Sequence, residues 1–287
     1  MRRGANRLIT FMTKAYRGMK NKANLAAGSG LVASIAEQPE TVVVMISPCR
    51  SGSTAMLRVF GYAGFSAYFQ PIKSVLRWRH LGEHRQWDMP RTPKVFLKET
   101  FGPYHEFEVA FDPIAALLQA GLAPKSLHLL VLLRDPATIW ASWQAIWGNL
   151  TRLNYLEQSF QACINTSNTA QSAGIPIQIV DYQRCVSQPT QEIGAVFDTL
   201  GLVLKPGATS EWNAKPGFAQ SGSGVIVPQE PDRYVLPSAH QRTVDSTAFG
   251  QVPAQVQPTD HDHIAIQNTA IPRHFEDLQN QIRVSVA

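Results

Sequence analysis

Cysteine is scarce in this sequence, and no apolar run is long enough to cross a bilayer. The 287 residues contain only three cysteines, Cys49, Cys163 and Cys185, which are widely spaced and form no paired metal-ligand pattern. A disulfide framework is therefore excluded, and a reducing, cytoplasmic compartment is expected. Because no run of about 18 consecutive apolar residues occurs, we predict no membrane span.

Outside the N-terminus, the chain also lacks any excess of basic residues. The net charge is +5, but residues 1–40 hold seven basic and two acidic residues, which leaves 19 of each sign in the rest of the chain. We therefore predict no nucleic-acid-binding surface on the core. Residues 1–25 interleave basic and apolar side chains, which is typical of a peripheral membrane contact, a transit peptide or a solvated, partly disordered arm.

Apolar segments alternate with helical patterns between residue 41 and about residue 204. The segments predicted to be buried parallel strands are residues 41–46, 94–98, 127–133 and 175–180. The patterns predicted to be helices are residues 55–63, 114–120, a stretch opened by Pro136, 154–172 and 190–200. This alternation predicts an α/β fold, a doubly wound parallel sheet in a P-loop-like three-layer α/β/α arrangement.

The ends of the chain follow a different pattern from this central region. We divide the sequence into a basic N-terminal extension (1–40), an α/β core (41–225) and an irregular, loop-rich C-terminal extension (226–287). The extension is rich in Gly, Pro, Ser and Gln, and its one predicted helix covers residues 274–283. Residues 65–92 are interpreted as irregular, and their bases and aromatics either frame an acceptor or form a solvated lid.

A short polar turn after the first predicted strand has the composition of an anion-binding loop. Glycine lets the backbone approach a ligand, hydroxyl groups donate hydrogen bonds, and arginine matches phosphate oxygens with two parallel donors. The helix that follows adds the positive end of its dipole. The candidate anion-binding residues in this loop are Arg50, Ser51, Gly52, Ser53 and Thr54.

Two better-known phosphate loops are excluded by single residues. A nucleoside-triphosphatase loop requires lysine after its second glycine, but Gly52 is followed by Ser53. A phosphotyrosine-phosphatase loop requires arginine six residues after its cysteine, and that position after Cys49 is Ala55. Cys49 is therefore interpreted as a small buried residue, and no metal site is predicted.

The loop Arg50-Ser-Gly-Ser-Thr54 resembles the 5′-phosphosulfate loop of sulfotransferases that use 3′-phosphoadenosine 5′-phosphosulfate (PAPS). In that family, an arginine at a strand end and a serine eight residues later bind the 3′-phosphate, and Arg134 and Ser142 have this spacing. Tyr182 after the last strand resembles the family's tyrosine-containing turn. The resemblance covers about residues 41–204 and is greatest to bacterial sulfotransferase-like proteins.

The resemblance implies transfer of a sulfuryl group from PAPS to a hydroxyl or amine of a small-molecule, lipid or glycan acceptor. Lys98 matches the family's lysine at the end of the second strand, and with Arg50 it would stabilise the charge that develops during transfer. Glu99 is the first candidate for the general base and His105 the second. Relatives also place a basic, glycine-containing loop over the cofactor, and the resemblance implies Lys215 and Gly217 for that role; a mobile linker is the alternative interpretation of this stretch.

One departure from the family pattern leaves other functions open. Relatives often carry glutamate before a proline that follows the first helix, whereas this chain has Gln70 before Pro71. A glutamine cannot act as a base, so a protein that binds PAPS without transferring sulfate is an alternative. A P-loop kinase or nucleoside triphosphatase is a second alternative, which the missing loop lysine disfavours.

Overall fold

The computed structural model of the chain describes residues 30–212, 223–234, 243, 246–250 and 256–284. The N-terminal segment 1–25, for which a membrane contact is one prediction, lies outside these residues. Lys215 and Gly217, the predicted residues of the cofactor-covering loop, also lie outside them.

Within the described residues, a single sheet of six parallel strands forms the centre of the fold. Its strands are β1 (Thr41–Pro48), β2 (Ser66–Phe69), β3 (Lys94–Phe101), β4 (Leu127–Leu133), β5 (Ile177–Asp181) and β6 (Val225–Ile226). They lie side by side in the order β5-β4-β1-β3-β2-β6, and every pair is parallel. The strand order reverses beside β1, and open α/β sheets bind ligands at the carboxyl ends of the strands at such a point.

Helices cover both faces of the sheet. They are α1 (Ser53–Tyr62), α2 (Pro71–His80), α3 (Pro113–Gln119), α4 (Pro136–Trp147), α5 (Leu153–Ser172), α6 (Tyr182–Ser187), α7 (Pro189–Thr199), α8 (Asp260–Gln267) and α9 (Ile271–Val284). Short 3-10 turns occur at Glu106–Glu108, Pro124–Ser126, Gly148–Leu150 and Asp232–Tyr234. In the part of the chain that is described, no helix combines the length and apolar character that crossing a membrane requires.

Alternation along the strands divides the core into two hydrophobic layers. On β1, Val42, Val44 and Ile46 pack with α2, α3, α4, α5, α8 and α9. Val43 and Met45 face the other side, where α1, α6 and α7 pack. Because successive side chains of a strand point to opposite faces, a continuously apolar strand such as β1 must be covered on both. The predicted doubly wound, three-layer α/β class is confirmed.

Most of the predicted elements are present with bounds that shift by a few residues. The proline-opened helix α3 begins as its sequence indicates, since the Asp112 carboxylate accepts a hydrogen bond from the backbone N–H of Ala115 at 3.0 Å. The interpretation of residues 65–92 as irregular is wrong, because β2 and α2 lie there. The helical pattern of α2 is hidden because it buries the charged residues Lys73 and Arg77.

The C-terminal region contributes more to the core than its composition indicates. The proposed boundary after residue 225 falls inside β6, which pairs with β2. In α9, Leu278 is fully buried and the ring of Phe275 meets that of Phe160 at 6.1 Å. The sequence analysis missed α8, although Thr259 and Asp262 form a reciprocal capping box at its start.

Candidate active site

The loop between β1 and α1 has a strained backbone that brings main-chain groups close together. Arg50 and Gly52 have φ angles of 74° and 87°, and such left-handed values are unusual for a residue other than glycine. A Cβ atom at Gly52 would overlap the ring of Tyr182, so only glycine fits there. The buried Ser51 hydroxyl donates a hydrogen bond to the carbonyl of Pro48 at 2.8 Å, which closes the turn.

Arg50 of this loop contacts Arg134 and Ser142, which lie more than 80 residues later in the sequence. The Nε of Arg50 donates a hydrogen bond to the hydroxyl of Ser142 at 3.1 Å. A guanidinium N–H of Arg134 donates to the main-chain carbonyl of Arg50 at 2.9 Å. The Arg134 guanidinium also lies over the ring of Tyr182, 5.0 Å from its centroid. Four of the predicted cofactor-binding residues therefore share one place, at the carboxyl ends of β1, β4 and β5.

This place concentrates positive charge. Among the described residues, no carboxylate lies within ion-pair distance of Arg50 or Arg134. Burial lowers the pKa of both guanidinium groups, and the charge of Arg134 lowers the pKa of Arg50 further. Two adjacent cations without a bound counter-charge are an arrangement that an anionic ligand stabilises.

Trp143 of α4 is a residue of this site that was not predicted from the sequence. Its indole N–H donates a hydrogen bond to the carbonyl of Cys49 at 2.8 Å, so α4 fixes the start of the loop. Trp143 is fully buried. The missed signal was chemical, because a buried indole N–H normally needs an acceptor.

Lys98 and Glu99 lie within β3, three and two residues before its last residue, and they project to opposite faces of the sheet. The ammonium group of Lys98 lies over the ring of Phe69, 3.5 Å from its centroid, in the layer that contains α1. Burial places the pKa of Lys98 well below its ordinary value. Glu99 enters the other layer, so the two side chains do not form the joint site that their adjacency in sequence suggested.

The Glu99 carboxyl group caps helix α2. Its oxygens accept hydrogen bonds from the backbone N–H groups of Ile72 at 2.7 Å and Lys73 at 3.2 Å. The residue is fully buried, and this desolvation raises its pKa to about 8. Burial therefore disfavours the carboxylate form of this group, and both of its oxygens are already engaged. The geometry indicates an anchor for α2 and gives little support to the prediction that Glu99 is the base.

Beside Glu99, the bases Lys73 and Arg77 of α2 are neither solvated nor open to an acceptor. Lys73 donates hydrogen bonds to the carbonyls of Thr100, at 2.9 Å, and of Gly102. Arg77 forms an ion pair with Glu108 at 2.9 Å, and although burial opposes it, the carboxylate charge raises the pKa of Arg77. The sequence analysis missed this buried network because its partners are distant in the chain.

His105, the second candidate for the base, follows β3 in a half-buried cluster of aromatic rings. Its ring stacks on that of Phe107 with centroids 5.1 Å apart and meets Tyr234 edge-on at 5.6 Å. The centroid of the His80 ring lies 5.3 Å from that of the His105 ring. The cluster lies beyond the carboxyl end of β3, on the same edge of the sheet as the loop between β1 and α1.

No model of a known protein family matches the chain, and a comparison with curated proteins finds no match either. Fold alone does not assign function, so the site chemistry must carry the assignment. In the described ranges, no group of three or more His, Cys, Asp or Glu residues is arranged to hold a metal ion.

Proposed function

We propose that the chain is a sulfotransferase that moves the sulfuryl group of PAPS to a hydroxyl or amine of a small-molecule, lipid or glycan acceptor. The observation that carries this proposal is the meeting of Arg134 and Ser142 with Arg50. PAPS has two separate phosphate groups, and a 3′,5′-bisphosphate needs two donor clusters that converge on one nucleotide. A triphosphate-binding loop would have no need of the second cluster.

In the proposed reaction, the acceptor oxygen or nitrogen attacks sulfur in line with the leaving group. A new S–O or S–N bond forms as the bond between sulfur and the 5′-phosphate oxygen breaks. The electron pair leaves with adenosine 3′,5′-bisphosphate, and the acceptor proton passes to a base or to water. Such a loose transition state depends mainly on positioning and on charge stabilisation.

The residues of the candidate site have the following roles in this reaction. The loop N–H groups, Arg50 and Lys98 stabilise the charge that accumulates on the leaving 5′-phosphate. Arg134 and Ser142 hold the 3′-phosphate, and the ring of Tyr182 packs against the guanidinium group of Arg134. His105 is the better candidate for the base, because both oxygens of Glu99 accept hydrogen bonds from backbone N–H groups at the start of α2.

The test is calorimetric titration of the protein with adenosine 3′,5′-bisphosphate and with Mg-ATP. We expect preference for the bisphosphate and a loss of about tenfold to a hundredfold in its affinity in Arg134→Ala, since a charge-assisted hydrogen bond contributes about 1.5–3 kcal/mol. Ser142→Ala should lose less, because its hydroxyl is uncharged. Arg184→Ala is the matched control, as its side chain is exposed and its guanidinium already pairs with Glu192.

Two results would contradict the proposal. Preference for Mg-ATP would favour a nucleoside triphosphatase or kinase. Bisphosphate binding without sulfate transfer to any acceptor would favour a PAPS-binding protein that is not an enzyme.

A further inference from the structure

Gln70 has a backbone conformation that a glutamine rarely adopts. Its φ and ψ angles are 53° and 50°, and within the described residues it shares a positive φ with only one other non-glycine residue, Arg50. Gln70 is the first residue after β2, and Arg50 is the second residue after β1 of the same sheet. Strained residues of this kind concentrate at functional sites, where the surrounding structure holds them in place.

The side chain of Gln70 is buried but leaves a polar atom unused. The residue is 4% exposed, and no described hydrogen-bond donor reaches its Oε1 atom. It precedes α2, yet it makes no capping hydrogen bond, because Glu99 accepts from the N–H groups of Ile72 and Lys73. A buried carbonyl oxygen without a donor is costly, and a ligand group that donates a hydrogen bond removes that cost.

The position of Gln70 places it beside the residues proposed to carry out transfer. Its backbone N–H donates to the carbonyl of Lys98 at 2.7 Å, and the preceding residue, Phe69, lies against the Lys98 ammonium group. Lys98 is close enough to Arg50 for the two charges to interact. Gln70 therefore lies at the carboxyl end of β2 and beside Lys98 of β3, whose strand continues for three more residues.

We propose that Gln70 binds the acceptor and orients its nucleophilic group, with Oε1 accepting a hydrogen bond from an acceptor O–H or N–H. This inference rests on the proposed sulfotransferase function. An amide oxygen has no useful basicity, so Gln70 positions the nucleophile and does not remove its proton. The site consequently selects a neutral acceptor group that brings its own hydrogen to Oε1, and it disfavours an anionic oxygen that has none.

The variants that test this role must keep the unusual backbone. Gln70→Asn retains the amide, tolerates the left-handed region and shortens the side chain by one methylene. Gln70→Gly removes the side chain and fits the same backbone without strain. Gln178→Asn is the matched control, because Gln178 also has a buried Oε1 without a described donor but lies within β5.

The experiment measures transfer of radiolabelled sulfate from PAPS to 4-nitrophenol, 2-phenylethanol, 2-phenylethylamine and water, together with the affinity for adenosine 3′,5′-bisphosphate. We expect both Gln70 variants to lower kcat/KM for the acceptors by about tenfold through a higher acceptor KM, with bisphosphate affinity changed by less than about twofold. With water as the acceptor, the rate of PAPS hydrolysis should fall in the same variants. Gln178→Asn should leave the acceptor KM and bisphosphate affinity as in the parent protein.

The outcomes separate this inference from the function on which it rests. If the unmodified protein transfers sulfate and the Gln70 variants keep its acceptor KM, the role of Gln70 is wrong while the sulfotransferase stands. An effect confined to bisphosphate affinity would also overturn the role in acceptor binding. If the unmodified protein does not bind the bisphosphate, or binds it and consumes no PAPS with any of the four acceptors, both proposals fail.

Discussion

Replacing Glu99 by glutamine should change how the stability of the protein depends on pH. Burial raises the pKa of Glu99 to about 8 in the folded protein, from an ordinary value of 4.5. The folded state therefore binds this proton more tightly than the unfolded chain does. The resulting stabilisation is complete below the unfolded pKa and is lost as the pH rises through the folded pKa.

The magnitude follows from one proton and two hydrogen bonds. Between about pH 5 and pH 8, the parent protein should lose up to about 1.4 kcal/mol per pH unit relative to a variant that does not titrate at this position. Glutamine can accept from only one of the N–H groups of Ile72 and Lys73, and its own NH₂ then faces the other, which costs about 1–3 kcal/mol. Glu99→Gln should therefore be less stable than the parent at low pH, and the difference should shrink or reverse as the pH rises.

The measurement is urea unfolding, followed by circular dichroism, of the parent protein and Glu99→Gln across that pH range. Glu99→Leu provides an internal control, because it also lacks the titrating group but loses both capping hydrogen bonds. Its difference from the parent should have the same pH dependence and a larger constant offset. A stability difference independent of pH in both variants would refute the raised pKa and with it the assignment of Glu99 as a protonated helix anchor.

Two further predictions follow from the site and its surroundings. Gly52→Ala should abolish bisphosphate binding, because its Cβ would overlap the ring of Tyr182 in a left-handed backbone, whereas Gly194→Ala, with open space around it in α7, should bind normally in the same titration. Glu108→Leu should lower the free energy of unfolding by about 3–5 kcal/mol, because it leaves the buried Arg77 and Lys73 without a major partner; a loss below about 1 kcal/mol in urea unfolding would contradict the buried network.

The parts of the site that were predictable depend on local sequence. The buried strand, the glycine-containing turn and the proline-opened helix near residue 136 each have a signature within a few consecutive residues. Arg134 and Ser142 were identified through the resemblance to the sulfotransferase family, in which an arginine and a serine have the same spacing. Such features can be predicted from a single sequence, because backbone conformation and hydrophobic periodicity are local properties.

The parts that were missed depend on partners far away in the chain. Helix α2 has charged residues where its buried face needs apolar ones, and that burial depends on distant partners such as Glu108, Glu230 and the carbonyl of Thr100. Glu99 was expected beside a substrate because it follows Lys98, but alternation along β3 sends it to the N-terminus of α2. Trp143 was not predicted as a site residue, because the acceptor of its indole N–H, the Cys49 carbonyl, is 94 residues away in the chain.

The sequence by itself determined the class of fold and the chemistry of the loop, since an apolar strand, a polar turn with Gly52 and a following helix are encoded within about twenty adjacent residues. Only the tertiary structure decided which residues share the site. Arg50 contacts Ser142 and Arg134 because β1 and β4 are neighbours in the sheet. The Glu99 carboxyl group instead accepts a hydrogen bond at the start of helix α2. Strand order and helix docking are set by packing over the whole core, which no local pattern contains.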